Sequence, residues 1–200
     1  MHQKNRNIGI IRYASKIFEK IGIRLRHYYR KMFCQKNYIF RYEGTCDPDK
    51  REDCVIKSYT SFDQIPEEVK DDIQSDGVNN RLEVDKLELN DNATLWIVFV
   101  NNKVASTVFT RKGEYFKRWF LDLQKEDVIV FRLRTHPHFR GQGLAPSLIR
   151  YAISSTLEKP GYAYIDCRTY NTSSIHAIEK VGFIRVAVKK TIKRRWALYD

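Results

Sequence analysis

The stretch HPHFRGQGLAPSLIRYAI, residues 136–153, places two glycines and an arginine directly before an apolar run of helical spacing. The first backbone N–H groups of a helix have no partner within the helix, and the helix dipole leaves partial positive charge there, so main chain alone can bind a phosphate. Gly141 and Gly143 remove two β-carbons that would block this approach, and Arg140 adds a charge beside it. The pattern predicts an anion site at the start of a helix.

This stretch matches neither of two common phosphate-binding fingerprints. The dinucleotide pattern GxGxxG fails because Pro146 stands at its third glycine, and the nucleotide-triphosphate pattern GxxxxGK[ST] is absent. A turn between a strand and a helix that is made flexible by glycine, and binds no ligand, would explain these residues about as well. The surrounding sequence has to decide between the two interpretations.

Five segments around this stretch predict alternating strands and helices. They are a strand at 127–135, a helix to about Leu157, a strand at 162–170, a helix at 173–181 and one or two closing strands within 183–199. A strand–helix–strand crossover of this kind makes its two strands parallel neighbours in one sheet.

Upstream, the sequence predicts mainly antiparallel strands. The segments are strands at 38–43 and 55–60, a helix within 61–77 capped by Ser61 or Asp63 and ended by Gly77, a short helix within 79–89, and a hairpin of strands at 94–100 and 104–110. We expect an α/β fold of the α+β type, with residues 38–200 forming one domain.

The positive charge is concentrated at the N-terminus. Nine of the twelve net positive charges lie in residues 1–45, where eleven Lys and Arg residues face two Glu residues. Within 1–37, apolar residues recur every three or four positions with basic residues opposite, which predicts a basic amphipathic helical arm. Its open roles are packing on the domain's own core, lying on an anionic membrane, or contacting an acidic partner or nucleic acid. Nucleic acid is the weakest of these because no aromatic and basic motif of a known module occurs.

The cysteines and the hydropathy pattern narrow the class of protein. The four cysteines form no CxxC pair and have no histidine at metal-ligand spacing, so we expect free thiols and no metal site. Charges interrupt the apolar residues at the N-terminus, and no uncharged run is long enough to span a bilayer. We therefore expect a cytoplasmic protein, or one that binds peripherally at a membrane.

Two short motifs follow two successive predicted strands. The first is R-x-x-G-x-A, formed by Arg140, Gly143 and Ala145, and the second is NTSSIHAIEKVGF at 171–183. Together they resemble the GNAT superfamily of acyl-CoA-dependent N-acyltransferases, whose signature [Q/R]-x-x-G-x-[G/A] follows the fourth strand and whose N-x-x-S segment follows the fifth. The resemblance covers roughly residues 127–184 and implies a mixed, mostly antiparallel sheet with a splayed parallel pair, flanked by helices.

The resemblance implies that acetyl-CoA is the co-substrate and lies in the gap between the two parallel strands. Its pantetheine would bond to exposed main chain, its pyrophosphate to the glycine turn, and the N–H of Leu133 would stabilise the oxyanion. A splayed strand pair supports this independently, because its unpaired N–H and C=O groups need a ligand or water. The implied contacts are Leu133, Arg134, Thr135, Arg140, Gly141, Gln142, Gly143, Leu144, Ala145, Asn171 and Ser174.

The resemblance also implies direct attack of an amine on the thioester, which needs a base for the amine and an acid for the departing thiolate. Many relatives carry a tyrosine as the acid where Ile178 stands here, and isoleucine cannot donate a proton. Ser174 or Tyr170 is the substitute acid that the sequence offers. Asp127, at the beginning of its strand, is the candidate base for the amine, and Asp166 is a further candidate. Neither is needed if water carries the proton.

Our first functional hypothesis is an acetyl-CoA-dependent N-acetyltransferase acting on a primary amine, either an amino sugar, another small amine or a protein amine. The aromatic residues Tyr115, Phe116, Trp119 and Phe120 would wall the acceptor pocket, unless they pack in the core. The alternative is a catalytically weak or inactive acyl-CoA-binding regulatory protein, peripheral at a membrane, which the missing tyrosine favours. Fold resemblance alone does not choose the acceptor.

Overall fold

The computed structural model describes residues 36–44, 51–75, 81–116, 119–192 and 195–199. The strands are β1 Lys36–Tyr42, β2 Val55–Tyr59, β3 Thr94–Val100, β4 Lys103–Lys112, β5 Val128–Thr135, β6 Ala163–Arg168, β7 Ile184–Ile192 and β8 Arg195–Tyr199. The helices are α1 Glu67–Gln74, α2 Arg81–Asn90, α3 Leu144–Thr156 and α4 Thr172–Val181. Within the described ranges, no helix has the length and apolarity needed to cross a bilayer.

The predicted basic arm at residues 1–37 falls almost entirely outside the described residues. Its last two residues, Lys36 and Asn37, begin β1. The arm's helix, and its contacts with a membrane, an acidic partner or the domain, therefore stay predictions.

One mixed sheet organises the described chain. Its eight strands run in the order β2-β3-β4-β5-β6-β1-β7-β8. The neighbouring pairs β2 and β3, β3 and β4, β4 and β5, β6 and β1, and β7 and β8 are antiparallel. β5 and β6 are parallel and are joined through α3. The predicted mixed, mostly antiparallel sheet with one parallel pair and flanking helices is confirmed.

Helix α3 covers the two parallel strands because its apolar residues recur on one helical face. Leu148, Ile149 and Ile153 are fully buried and share a core with Val130 of β5 and Ile165 of β6. In a strand–helix–strand unit the helix begins near the end of the first strand. The N-terminus of α3 therefore lies at the edge of the sheet where β5 ends.

Helices α1 and α2 cover the opposite face of the sheet. Side chains alternate between the two faces along β3. Leu95 and Ile97 share a core with Ile73 of α1 and Leu89 of α2, whereas the intervening Trp96 belongs to the core beneath α3. Both faces of the sheet are thus buried, which explains why β3 reads as a nearly continuous apolar run.

The predicted helix within 61–77 is present, but it does not begin at the predicted caps Ser61 or Asp63. A short 3-10 turn at Phe62–Gln64 follows Ser61, the chain then extends, and α1 begins only after Pro66. Proline disfavours helical backbone in the residue before it and has no N–H to donate, so it ends one helical segment and opens the next. The predicted stop, Gly77, lies outside the described residues.

The predicted hairpin between β3 and β4 is confirmed. Asn101 and Asn102 form its turn with φ of 50° and 60°. Two left-handed residues give the turn a twist that matches the right-handed twist of the flanking strands, and asparagine tolerates this backbone better than most residues. Lys103, which the sequence placed in the turn, is the first residue of β4.

Replacing Leu148 with alanine tests the packing of α3 on the sheet. Leu148 is 0% exposed, so we expect Leu148→Ala to lower the free energy of unfolding by about 2–5 kcal/mol, from lost burial plus the cavity left behind. Urea unfolding followed by circular dichroism measures the change. Leu87→Ala is the matched control, because Leu87 is 68% exposed on α2 and should change stability little. Equal losses in both variants would contradict the packing described here.

Candidate functional site

The parallel strands β5 and β6 part after three paired residues. Val128 pairs with Ala163, Ile129 with Tyr164 and Val130 with Ile165, and no further pair forms between the described residues of the two strands. On its other side β5 stays paired with β4 as far as Thr135. Over residues 131–135, β5 therefore has a neighbouring strand on one side only. Polar main chain in such a position needs water or a ligand.

A bulge in β5 coincides with this separation. The register between β4 and β5 shifts between Thr107 and Phe109, opposite the segment from Phe131 to Arg134. Within that segment Arg132 has φ of +54°, a left-handed backbone that arginine rarely adopts. A bulge bends the strand that carries it, so it directs the end of β5 away from β6.

The turn between β5 and α3 presents main chain at a helix N-terminus. Gly141 and Gly143 have φ of +79° and +74°, and Gly143 is the N-cap of α3 without any side-chain cap. A β-carbon at Gly143 would come 3.5 Å from Arg51, and one at Gly141 would meet no described atom within 4 Å. Backbone conformation, more than crowding within the protein, therefore requires glycine at both positions.

A basic cavity opens beside this turn. It has a volume of about 340 Å³. Three of its described lining residues are basic and none is acidic. The lining residues are Arg51, Gly141, Gln142, Gly143, Pro146, Ser147, Arg150 and Lys180. Three cations around exposed main chain at a helix N-terminus suit a multiply charged anion such as a diphosphate.

Arg51 is fixed at this cavity by two neighbours. Its Nη1 donates to the carbonyl of Gln142 at 2.6 Å, and its other nitrogens bind the carboxylate of Asp53 at 2.9 and 2.5 Å. Nη2 of Arg150, which also lines the cavity, donates to the carbonyl of Lys180 at 2.7 Å, and this bond ties α3 to α4. The cations therefore come from three separate segments of the chain.

Sequence analysis did not select Arg51, Ser147, Arg150 or Lys180 as site residues. Ser147 and Arg150 follow Gly143 by four and seven positions, so helical spacing could have identified them as sharing the face that starts at the glycine turn. Arg51 lies 91 positions from Gln142, and no local pattern signals that contact.

A family model described as the acetyltransferase (GNAT) family matches residues 58–183. The matched region is more than half of the chain and contains the splayed pair, the glycine turn and both helices beside it. The chain belongs to the GNAT acetyltransferase family. Members of this family use acetyl-CoA as co-substrate and an amine as acceptor.

Solved GNAT structures have the same fold at low sequence identity. A GNAT-family protein from Novosphingobium aromaticivorans is 16% identical with a TM-score of 0.53, over 76% of this chain and 60% of that chain. An acetyltransferase from Colwellia psychrerythraea is 13% identical with a TM-score of 0.53, over 76% and 53%. A GCN5-related N-acetyltransferase from Kribbella flavida is 13% identical with a TM-score of 0.50, over 77% and 56%. This chain thus spans little more than half of each of them, and no curated protein matches it.

The residues that the GNAT resemblance assigns to acetyl-CoA meet at one edge of the sheet. Leu133, Arg134 and Thr135 end β5, the turn from Arg140 to Ala145 follows, and Asn171 and Ser174 begin α4 after β6. Because β5 and β6 are parallel, their carboxyl ends lie at the same edge. Asn171 has a structural role as well, since its Oδ1 accepts from the N–H of Ser174 at 3.3 Å and caps α4.

The position that carries a tyrosine in many GNAT enzymes is closed to proton transfer here. Ile178 is 1% exposed and packs in the core shared with α3. Ser174 and Tyr170 lie instead in the connection from β6 to α4 and its first turn, beside the separated strands. Cys167 of β6 is close by, but burial raises the pKa of its thiol to about 11 despite an opposing hydrogen bond from Ser174.

The structure separates the candidate base Asp127 from the other site residues. Asp127 stands before the first residue of β5, at the paired end of the strand. It is 2% exposed, and its carboxylate accepts from the N–H of Gln124 at 2.8 Å and of Tyr162 at 2.9 Å. These bonds tie the loop before β5 to the start of β6, a structural role.

The second candidate base, Asp166, lies nearer the separation but has partners of its own. It is the first residue of β6 beyond the last paired one, Ile165. Its Oδ2 accepts from Nδ2 of Asn37 at 2.5 Å and pairs with Nζ of Lys189 at 2.8 Å. Burial lowers the pKa of Lys189, and the attraction of Asp166 opposes that effect.

The aromatic residues proposed as an acceptor wall are partly core residues. Phe116, Trp119 and Phe120 pack against a buried cluster of Ile39, Ile129 and Tyr164, while Tyr115 is 42% exposed. The ring centroids of Trp119 and Tyr164 are 5.5 Å apart.

The described residues contain no group of three His, Cys, Asp or Glu side chains that could hold a metal ion.

The thiol of Cys167 should react as a buried group. A pKa of about 11 leaves about a thousandth of it as thiolate at pH 8, so alkylation of the native protein should be slow and should still accelerate between about pH 9.5 and 10.5, where an ordinary thiol has levelled off. Iodoacetamide labelling at a series of pH values, read out by peptide mass spectrometry, measures this. The same cysteine in urea is the control, and a native profile that levels at the same pH as the unfolded one would contradict the burial effect.

Proposed function

We propose that the chain is an acetyl-CoA-dependent N-acetyltransferase that moves an acetyl group to a primary amine by direct attack in a ternary complex. Residues 38–200 would be its catalytic domain, and the acceptor would be an amino sugar, another small amine or a protein amine. The observation that carries the proposal is the separation of β5 from β6 directly beside the basic glycine turn. One molecule with a thioester at one end and a diphosphate at the other fits both features.

The proposed binding mode uses main chain for the parts of acetyl-CoA that every such molecule shares. The end of β5 from Leu133 to Thr135 would pair with the pantetheine amides as an added strand does. Amides of the Gly141 to Ala145 turn would hold the diphosphate, and Arg140 with the three cations of the cavity would neutralise it. The cavity residues Arg51, Arg150 and Lys180 extend the set that the sequence motifs imply.

Transfer forms a C–N bond and breaks the C–S bond, so the amine must lose a proton and the thiolate must gain one. The N–H of Leu133 would stabilise the oxyanion that precedes C–S cleavage. Ser174 or Tyr170 would supply the proton to the thiolate from the start of α4. The amine's proton would leave through water or Asp166, since Asp127 lies at the far end of β5.

A second candidate function is an acyl-CoA-binding regulatory protein with little or no turnover. The specific observation in its favour is Ile178, which fills with a buried alkyl group the position where many relatives carry their acid. Both functions share the same acetyl-CoA site and differ only in transfer.

We also propose a reducing compartment such as the cytoplasm, which the free thiols of Cys54 and Cys167 support.

Calorimetry with acetyl-CoA, followed by a thiol-release assay with a panel of amines, tests the proposal in two steps. We expect acetyl-CoA to bind in the usual range for enzyme substrates, about 1 µM to 1 mM, and at least one amine to accelerate thiol release. Binding without release for any amine would favour the regulatory protein. Absence of binding would overturn both.

The substitution Gly143→Val tests the glycine turn. Valine at φ of +74° is strained and puts a side chain where the amides face the cavity, so we expect at least a tenfold loss of acetyl-CoA affinity, about 1.4 kcal/mol, with the fold retained. Asn92→Val is the matched control, because it places valine at φ of 59° in the turn between α2 and β3. Calorimetry and thermal unfolding compare the two. Unchanged affinity in Gly143→Val would refute the assignment of the turn.

Neutralising the cavity residues tests which part of acetyl-CoA they contact. We expect Arg51→Gln and Lys180→Gln each to weaken acetyl-CoA binding by about tenfold, the usual loss for a charge-assisted contact, and to leave acetyl-pantetheine binding unchanged. Lys125→Gln is the control, because that side chain is 77% exposed and does not line the cavity. Equal losses for both ligands would show that these cations do not bind phosphate.

A further inference from the structure

Glu88 of α2 holds two arginines that lie on different strands. Its Oε1 accepts from Nε of Arg132 at 2.8 Å and pairs with Nη2 of the same residue at 2.7 Å. Its Oε2 accepts from Nη2 of Arg111 at 2.7 Å. The side chains of Arg111 and Glu88 are 6% and 19% exposed, so their pair is partly buried and little screened, whereas Arg132 is 35% exposed and solvent screens its pair with Glu88 more.

The other end of the network is rigid. Arg111 of β4 has a side chain only 6% exposed, and its guanidinium carbon lies 4.9 Å from the ring centroid of Phe116 and 5.3 Å from that of Phe131. Its Nη1 also pairs with Asp91 at 2.8 Å. Arg111 therefore fixes the carboxylate of Glu88 in one place, and Glu88 in turn fixes the guanidinium of Arg132.

Arg132 is the residue at which β5 bulges. Its φ of +54° lies in the left-handed region, and arginine lacks the short polar side chain that lets asparagine or aspartate adopt that region readily. Pairing of β5 with β6 ends two residues earlier, at Val130. A strained residue persists where surrounding contacts over-determine it, and this side chain pairs with Glu88.

We propose that Glu88 is a positioning residue for the acyl-CoA site: its ion pair with Arg132 holds β5 in its bulge and thereby sets the gap between β5 and β6. The main chain from Leu133 to Thr135 is presented to the thioester in the orientation that this bulge fixes. The effect on acetyl-CoA binding rests on the proposed function. The Glu88–Arg132 ion pair that holds the bulge, called the clamp below, is a property of the protein without ligand.

Two substitutions at Arg132 distinguish the effect of the bulge conformation from the effect of the side chain. Arg132→Ala and Arg132→Gly both remove the ion pair and leave Arg111 untouched, but only glycine adopts a positive φ without strain. We expect Arg132→Ala to raise the Kd and KM for acetyl-CoA by about tenfold, within the loss that a small misplacement of a binding group causes, and Arg132→Gly to stay near the unmodified protein. Backbone amide shifts of Leu133 and Thr135, recorded by NMR without ligand, should move in the alanine variant only.

The double variant tests whether Glu88 acts through Arg132. Glu88→Gln should raise the KM for acetyl-CoA more than it lowers kcat in the unmodified protein, and should have no further effect on KM in the Arg132→Gly background. Glu83→Gln, an exposed change on the same helix, is the control. Equal behaviour of the alanine and glycine variants, or an undiminished effect of Glu88→Gln beside glycine, would overturn the proposal. If the unmodified protein bound no acetyl-CoA, the proposed function would fail, and the amide shifts would still judge the clamp.

Discussion

The early end of pairing between β5 and β6 is the constraint on which the site depends. Two parallel neighbours normally satisfy each other's main chain along their whole length, and here they stop at Val130 and Ile165. β4 holds β5 in the sheet as far as Thr135, so the strand stays ordered while one of its edges is released. An edge that is both rigid and unpaired is suited to bind an extended ligand by hydrogen bonds to main chain.

The proposed anion site depends on the same separation. Both parallel strands end at one edge, so the turn into α3 and the turn into α4 lie side by side there. The turn into α3 uses glycines with positive φ in place of a capping side chain, which leaves amide groups available. Arg51, Arg150 and Lys180 then add charge from three segments of the chain. In the proposed site, the main-chain amides set the geometry of binding, and the charged side chains supply the positive electrostatic potential.

Three acidic residues of this fold show how burial determines whether a carboxylate has a structural or a catalytic role. Asp127 uses both oxygens to bind main-chain N–H groups, and Asp166 is paired with Lys189. Glu88 is shared between two arginines. All three carboxylates therefore have partners within the protein, and Ile178 lies in the core. In the proposed enzyme, Ser174 or Tyr170 would supply the proton to the thiolate, and water or Asp166 would take the proton of the amine.

The sequence by itself determined the order of elements, the hairpin at Asn101 and Asn102, the parallel crossover and the glycine turn. Apolar periodicity, turn residues and helix-start signals act over a few positions, so they can be read along the chain. Only the tertiary structure decided that Arg51 reaches the turn and that Arg132 forms a bulge clamped by Glu88. Those contacts join residues 91 and 44 positions apart, and they depend on how the sheet packs, which no local pattern records.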